Sequence, residues 1–375
     1  MTPAGELTPR QILLNPGPVT LSDRVRAAMS RGDWCHREPE FAALMQDINR
    51  RLVRVHDGMA ARYRSVTLAG SGTAAVEAML ATFAPDTSTT LVVANGVYGE
   101  RMARMLEIHG KPHRVAGHPW TAAIDLAGIA RHLDAEPAIR HLAVVHHETT
   151  TGRLNDLAAL GRLCRERQVT LLLDAVSSFG AERIDAVAWN VGALAGTANK
   201  CLHGVAGLSF VLGRDDLWDG PTQRAGTLYL DLRSYYGTQH RDGFSPFTLP
   251  PQVAFALQEA LAEHAEQGGT EARRQAYAAR AARIAATLGN LGVRTLLPAA
   301  DYSAVLWSWQ LPAGQDYAPL HDALKADGFV IYAGQGDLGA QIFRIAHMGD
   351  IRQDDLDRLC RALGRHLAGH GGGAP

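Results

Sequence analysis

The chain has 375 residues, of which 46% are hydrophobic and 20% are charged, a composition typical of a compact protein with a large core. Its 37 Lys and Arg against 38 Asp and Glu leave a net charge of −1, which gives no electrostatic footprint for nucleic acid or an anionic membrane. No apolar stretch approaches the ~20 residues that a membrane-spanning helix needs. The four cysteines are widely separated and the N-terminus lacks an apolar leader, so we expect reduced thiols, no metal site and a cytoplasmic location.

Short apolar runs alternate with helical patterns through the first half of the chain. The predicted strands cover residues 65–69, 91–94, 141–146, 169–174, 193–197 and 207–212. The predicted helices cover residues 73–83, 98–109, 124–133 and 156–167. Alternation of this kind predicts an α/β fold, in which helices cover both faces of a mostly parallel sheet.

The pattern changes after residue 249, where two helical stretches run to about residues 266 and 291. Short predicted strands then mix with helices, at residues 293–296, 304–309, 330–333 and 342–345. We therefore predict an N-terminal arm, a large domain, a smaller α+β domain and a flexible tail, at residues 1–20, 21–267, 268–368 and 369–375. The arginines of the second helical stretch are interpreted as a solvated surface: Arg273, Arg274, Arg280 and Arg283.

Asp174 ends an apolar run that reads as a buried central strand. A buried carboxylate costs several kcal/mol if it is unpaired, so we expect a cationic partner. The carboxyl ends of strands in an open α/β sheet face the ligand crevice. Two interpretations remain open for Asp174: a cap of the following turn, or an acceptor for a protonated ring nitrogen of a cofactor.

Lys200 follows another apolar run, and it is the only lysine between Lys111 and Lys325. It is either an ordinary surface lysine or an amine at the end of a buried strand, where lost hydration lowers the pKa and makes a usable nucleophile. An Asp and a later Lys that each follow a strand suit pyridoxal phosphate, which needs a lysine for its Schiff base and an Asp at its pyridinium nitrogen.

A glycine-rich turn, GSGT at residues 70–73, lies between a predicted strand and a predicted helix. Glycines let backbone amides approach an anion, and the helix N-terminus adds partial positive charge. Ser71 and Thr73 add hydroxyl donors, although both residue types are also favoured as ordinary helix caps. The turn also fits a dinucleotide pattern, but the next strand ends at Asn95 and not at the expected carboxylate. A phosphate cradle is therefore favoured over nicotinamide binding.

Three further positions carry polar or aromatic side chains where a site is expected. Tyr98 could stack on a flat cofactor ring or be a half-buried aromatic. The polar turn HETTTG at residues 147–152 follows a strand, and its threonines could cap the turn. Arg344 alternates with apolar neighbours; pointing inward it would require an anion, whereas outward it would be an ordinary strand residue.

In combination these strings resemble the class V pyridoxal-phosphate aminotransferases of fold type I over nearly the whole chain. The matching strings are LLNPGP at 13–18, GSGT at 70–73, NGVYG at 95–99, HETTTG at 147–152, DAVSSFG at 174–180, ANKC at 198–201 and FRI at 343–345. The resemblance implies a large domain with a mostly parallel seven-stranded type of sheet, a smaller α+β C-terminal domain, pyridoxal 5'-phosphate as cofactor, and a homodimer with shared active sites.

The resemblance also implies roles by position. Lys200 would bind the cofactor and shuttle protons, and Asp174 would hold the pyridinium proton. The remaining cofactor contacts would come from Ser71, Gly72, Thr73, Tyr98, Thr149, Asn199 and, from the partner subunit, Thr248. The substrate contacts would come from Arg344, at the acidic end of each substrate, and from Gly17.

Within the class, the chain is most similar to the 2-aminoethylphosphonate–pyruvate transaminases. That similarity implies transfer of an amino group from 2-aminoethylphosphonate to pyruvate, giving phosphonoacetaldehyde and L-alanine. The alternatives are an alanine– or serine–glyoxylate type of aminotransferase, which the segment HREPEF at 36–41 favours, and another enzyme acting on aminophosphonates. Gln335 stands where the phosphonate enzymes usually carry a lysine, which removes a cation near the expected substrate mouth.

Overall fold

The computed structural model describes residues 10–219 and 225–368. Its helices are α1 Asp23–Ala28, α2 Pro39–Leu52, α3 Gly72–Phe83, α4 Val97–Ile108, α5 Leu126–Ala135, α6 Leu157–Glu166, α7 Asp215–Trp218, α8 Leu232–Arg241, α9 Pro251–Glu266, α10 Gly269–Asn290, α11 Tyr317–Ala326 and α12 Gln353–Leu367. Its strands are β1 Ile12–Leu13, β2 Tyr63–Ala69, β3 Thr89–Ala94, β4 His113–Gly117, β5 Ile139–Val145, β6 His147–Glu148, β7 Arg153–Leu154, β8 Thr170–Asp174, β9 Val191–Thr197, β10 Leu208–Arg214, β11 Leu306–Gln310, β12 Phe329–Val330, β13 Tyr332–Ala333 and β14 Ile342–Ala346. The predicted tail at 369–375 lies outside the described residues.

A seven-stranded sheet organises the first part of the chain, in the order β2-β10-β9-β8-β5-β3-β4. Strand β10 runs opposite to the other six strands of this sheet, so the prediction of a mostly parallel α/β sheet is confirmed. Alternate residues of its strands supply two apolar clusters, one on each face. Leu171 and Leu173 of β8 belong to one cluster, and Leu172 belongs to the other. Burial on both faces explains why these strands are nearly continuous apolar runs.

Strand β4 was missed by the sequence analysis, and its position explains why. It lies at the edge of the sheet and pairs only with β3. Its sequence HRVAG buries only Ala116, so it carries neither a continuous apolar run nor clean alternation.

A second, three-stranded antiparallel sheet forms in the C-terminal part, in the order β11-β14-β13. The predicted strand at 330–333 is wrong as one element, because β12 pairs with β1 of the N-terminal segment while β13 pairs with β14. The predicted strand at 293–296 is also wrong; it is reduced to an isolated bridge between Thr295 and Trp309. The domain boundaries given above stay a prediction.

The interpretation of the α10 arginines as a solvated surface is wrong for two of them. Arg273 is buried, and its guanidinium donates to the carbonyl of Cys201 at 2.7 Å. Arg280 donates to the carbonyl of His347, also at 2.7 Å. Arginine is long enough to reach loop carbonyls underneath its own helix, and helical periodicity alone does not reveal this. Among the described residues, no helix combines the length and apolar character needed to cross a membrane.

Candidate active site

The two residues central to the predicted chemistry leave the large sheet at the same edge. Asp174 is the last residue of β8, and Lys200 follows shortly after the end of β9. These strands are parallel neighbours, with Asp174 paired to Ala195. Parallel neighbours end at the same side of a sheet, so the topology brings the carboxyl and the amine into one crevice.

Asp174 is buried, and its Oδ1 accepts a hydrogen bond from the backbone N–H of Val176 at 2.9 Å. Burial raises the pKa of Asp174 to about 6, while the bond from Val176 and the positive charges of Lys200 and Arg101 oppose that rise. Lys200 and Arg101 therefore act on Asp174 through their positive charges, and no direct ion pair to Asp174 forms among the described residues. The turn-capping interpretation is confirmed for Oδ1 and does not exclude a second role.

Lys200 is turned toward the N-terminal segment and is not an ordinary surface lysine. Its Nζ donates to the backbone carbonyl of Pro16. Gly17 has a φ of +107°, and a Cβ built there would lie 2.8 Å from Cδ of Lys200, so the lysine stem fills the space that a larger residue would need. Burial lowers the pKa of Lys200 to about 8. The amine is therefore available as a base in mildly alkaline solution.

Four of the predicted cofactor residues line one small pocket: Gly72, Thr73, Tyr98 and Asp174. The pocket lies at the start of α3, where the first amides of a helix have no partners within the helix. A Cβ on Gly72 would lie 2.6 Å from a methyl carbon of Val176, so only glycine lets α3 begin this close to the segment after β8. Ser71 is the N-cap residue of α3, is exposed, and makes no hydrogen bond to its own helix. Its hydroxyl is free for a ligand.

Arg101 also lines this pocket, and the sequence analysis did not identify it. Its guanidinium carbon lies 4.7 Å from the centre of the Tyr98 ring, and its Nη1 donates to Oγ1 of Thr73 at 3.4 Å. The signal that could have found it is helical spacing, because a residue three positions after Tyr98 shares its face of α4.

The polar turn after β6 connects the pocket to the second sheet. The hydroxyl of Thr149 is buried and makes no hydrogen bond, although its carbonyl accepts from Nη1 of Arg344 at 2.7 Å. A buried hydroxyl without a partner costs free energy, so Thr149 has a donor available for a ligand.

Arg344 is fully buried in the middle of β14, so the inward orientation is confirmed. Its Nε donates to the carbonyl of Ala333 at 2.8 Å, and the Tyr332 ring lies 5.3 Å from its guanidinium carbon. Its Nη2 is buried and has no hydrogen-bond partner. Burial lowers the pKa of Arg344, but a guanidinium keeps its charge at any physiological pH. The free nitrogen therefore marks a place for an anion.

Asn199 and Thr248 are among the predicted residues that do not line this pocket, and both make other contacts within a single chain. Asn199 precedes Lys200, and its side-chain oxygen accepts from the hydroxyl of Thr197 at 2.8 Å. Thr248 is exposed and contacts the ring of His36 at 3.3 Å. An exposed threonine outside the pocket is compatible with a contact to a second copy of the chain.

The described residues fit pyridoxal phosphate. The pocket is lined by the buried carboxyl of Asp174, the ring of Tyr98, and Gly72 and Thr73 at the start of α3. The pairing of β8 with β9 places the amine of Lys200, with its lowered pKa, at the same edge of the sheet. The hydroxyl of Thr149, which has no hydrogen-bond partner, supplies a further donor.

Comparisons with known proteins agree with this geometry. Residues 100–336 match the family model described as aminotransferase class-V. The chain is 34% identical over 358 residues to a 2-aminoethylphosphonate–pyruvate transaminase from Pseudomonas aeruginosa, covering 95% of this chain and 96% of the relative. A protein of the same name from Syntrophobacter fumaroxidans is 37% identical over 354 residues, with 94% and 95% of the two chains covered.

The fold is likewise shared with a solved structure. The crystal structure of an alanine–glyoxylate aminotransferase from Nostoc sp. matches with a TM-score of 0.87 at 27% identity, covering 98% of both chains. The chain therefore belongs to the class-V aminotransferase family and is a fold type I aminotransferase that uses pyridoxal 5'-phosphate.

Proposed function

We propose that this enzyme transfers the amino group of 2-aminoethylphosphonate to pyruvate, giving phosphonoacetaldehyde and L-alanine. The observation that carries the proposal is the buried guanidinium of Arg344, whose Nη2 is free to bind the anionic end of either substrate in turn. The printed names of relatives that are 34% and 37% identical over nearly the whole chain support a phosphonate as the donor.

The side chains around the pocket divide the work of the reaction. When bound, pyridoxal 5'-phosphate supplies the electron sink for the carbon that loses its proton. Nζ of Lys200 would hold the cofactor before the reaction, would accept the proton from the donor carbon, and would deliver it to a second carbon, on the cofactor. The carboxylate of Asp174 keeps a proton on the ring nitrogen. The amine has a pKa of about 8, which places its neutral form within reach of ordinary working pH.

The remaining roles concern binding. We propose that Ser71, Gly72, Thr73 and Asn199 bind the cofactor phosphate. Tyr98 stacks on the cofactor ring, and the hydroxyl of Thr149 donates to the phenolic oxygen of the cofactor. Gly17, which lies against Lys200, contacts the substrate.

We also propose a homodimer in which Thr248 reaches the phosphate bound by the partner subunit. The exposed position of Thr248, outside the pocket of its own chain, supports this arrangement. The cytoplasmic location stays a prediction from composition.

A glyoxylate-type aminotransferase is the second candidate, and one contact favours it. The side-chain oxygen of Gln335 lies 3.4 Å from Nη1 of Arg344, so a neutral amide stands beside this buried guanidinium. One cation suits a monovalent carboxylate at least as well as a dianionic phosphonate.

A donor–acceptor screen tests both candidates. Purified holoenzyme is incubated with 2-aminoethylphosphonate, alanine or serine as donor and pyruvate or glyoxylate as acceptor. We expect alanine and phosphonoacetaldehyde from the first donor with pyruvate. Turnover of alanine or serine with glyoxylate, without turnover of the phosphonate, would contradict the proposal and establish the second candidate.

A further inference from the structure

Glu148 is a buried carboxyl beside the site that the proposed mechanism does not use. It ends β6 and is fully shielded from solvent. Its Oε1 accepts from the N–H of Thr150 at 3.1 Å and from the Thr150 hydroxyl at 2.7 Å. Its Oε2 is also buried and has no hydrogen-bond partner. A carboxylate with one oxygen unsatisfied is costly, whereas a neutral carboxyl avoids most of that cost.

The chain is built closely around this carboxyl. A Cβ on Gly96 would collide with Cδ of Glu148, so the glycine before α4 leaves space for the acid. The hydroxyl of Thr150, which donates to Glu148, also helps to begin that helix, because it accepts from the N–H of Val97 at 3.2 Å. Glu148 therefore packs against the start of the helix that carries Tyr98.

Arg344 is coupled to Glu148 through the next residue. The carbonyl of Thr149 accepts from Nη1 of Arg344 at 2.7 Å, and the negative charge of Glu148 opposes the lowering of the Arg344 pKa by burial. Strand β7 and helix α4 contact β6, and they carry Arg153, Tyr98 and Arg101. The charge of Asp174 also acts on Glu148. The guanidinium of Arg153 is directed to Asp301, at 3.1 Å, and that of Arg101 lies against the Tyr98 ring. The charge of Glu148 acts on Arg344.

Burial raises the pKa of Glu148 to about 7, and the negative charge of Asp174 raises it further, while the two bonds from Thr150 and the backbone N–H of Gly99 act in the opposite direction. The carboxyl is therefore neutral in mildly acidic solution and ionised in mildly alkaline solution. In the ionised form, the negative charge of Glu148 partly cancels the positive potential of the Arg344 guanidinium. An incoming anion is then attracted less strongly.

We propose that Glu148 is a proton-linked positioning residue, whose neutral form strengthens the binding of a substrate anion at Arg344 and whose ionised form weakens it. The inference rests on the proposed role of Arg344. Because linkage is reciprocal, an anion that binds at Arg344 favours protonation of Glu148, so binding takes up a proton from solvent.

The probe is propionate, a carboxylate that does not titrate between pH 6 and 8.5 and cannot react as a donor or acceptor. Its Kd is measured by calorimetry on the wild-type holoenzyme and on the Glu148→Gln and Glu182→Gln holoenzymes. The ratio of the wild-type Kd to the Glu148→Gln Kd should be near one at pH 6 and rise to about five- to tenfold at pH 8.5. Using a ratio removes the contribution of other groups that titrate in both proteins, Lys200 among them.

Glu182 is the matched control because it is also a buried carboxyl. It is bound by the hydroxyl of Ser303 at 2.6 Å, and burial likewise raises its pKa. The Glu182→Gln enzyme should follow the wild type at every pH. Calorimetry of the wild type in two buffers of different ionisation enthalpy measures proton uptake directly, and that result does not depend on the folding of any variant.

A constant ratio across the pH range, or no proton uptake by the wild type near pH 7.5, would overturn the inference. Alanine formation is assayed separately to keep the two proposals distinct. Normal transamination of the phosphonate with a constant ratio overturns only the role of Glu148. A ratio that rises with pH in an enzyme that rejects the phosphonate supports Glu148 and overturns only the proposed donor.

Discussion

The two sheets of the molecule each contribute charged side chains to the site, but they do so differently. In the large sheet, Asp174 and Lys200 lie at or beyond the ends of parallel strands, where the chain leaves the core. In the small sheet, Arg344 lies in the middle of β14 between the buried side chains of Phe343 and Ile345. The first arrangement gives groups that can exchange protons with a ligand, and the second gives a guanidinium that keeps its positive charge.

The charged side chains of the two sheets also differ in whether they can change their charge. Asp174 and Lys200 have pKa values shifted by burial to about 6 and about 8, so each can change its charge near neutral pH. Arg344 is held by the carbonyls of Ala333 and Thr149 and stays charged. From this comparison we propose that the large sheet supplies the chemistry and that the small sheet recognises the anion. Substitutions can test this division.

Replacing Lys200 should give the largest effect. We expect Lys200→Ala to lower kcat by at least about 10⁴-fold, because it removes both the covalent attachment and the proton transfer. Borohydride treatment followed by peptide mapping should label Lys200 in the wild type and leave the variant unlabelled. Lys325→Ala, at an exposed position of α11, is the control and should retain activity. A label on another lysine in the wild type would refute the assignment.

Replacing Arg344 should act mainly on binding. A hydrogen-bonded charge contributes about 1.5–3 kcal/mol, so Arg344→Gln should raise KM for the anionic donor and acceptor by about 10- to 100-fold. Steady-state kinetics with both substrates measures this, and kcat at saturation should fall much less. A fall in kcat at unchanged KM would contradict the division between the sheets.

The buried carboxyl of Asp174 should make the stability of the cofactor-free protein depend on pH. Its pKa is raised from 3.8 to about 6, so its contribution to stability is complete below pH 4 and is lost as the pH rises to 6. We expect Asp174→Asn to remove a decline of roughly 2–3 kcal/mol over that interval. Denaturant unfolding between pH 4 and 7 measures it.

Asp216 supplies a control of opposite sign. The hydrogen bond from Arg214 lowers the pKa of Asp216, so its contribution is present in neutral solution and is lost as the pH falls. Asp216→Asn should therefore leave the decline between pH 4 and 6 in place. If the free energy of unfolding declines equally in Asp174→Asn and in the wild type, burial does not raise the pKa of Asp174.

The comparison of the sheets also explains what the sequence could predict. A polar residue that follows an apolar run marks a strand end, which is why Asp174 and Lys200 could be placed from sequence alone. Arg344 was left open between two orientations, because alternation within a strand does not say which face is buried. Local sequence indicates only a polar turn at Glu148, because the space that Gly96 leaves for its carboxyl is a contact between separate segments of the chain.

The smallest expected effect concerns Gln335, whose amide lies beside Arg344. Gln335→Lys would place a second cation next to the guanidinium, and a dianionic phosphonate gains more from it than a monovalent carboxylate does. We expect the ratio of kcat/KM for 2-aminoethylphosphonate to that for alanine to rise by about three- to tenfold, in competition assays at low ionic strength. Gln335→Met, which keeps the size and adds no charge, is the control. An equal rise in both variants would assign the effect to the lost contact with Arg344, whereas a rise in the lysine variant alone would show that charge next to the small sheet selects the donor.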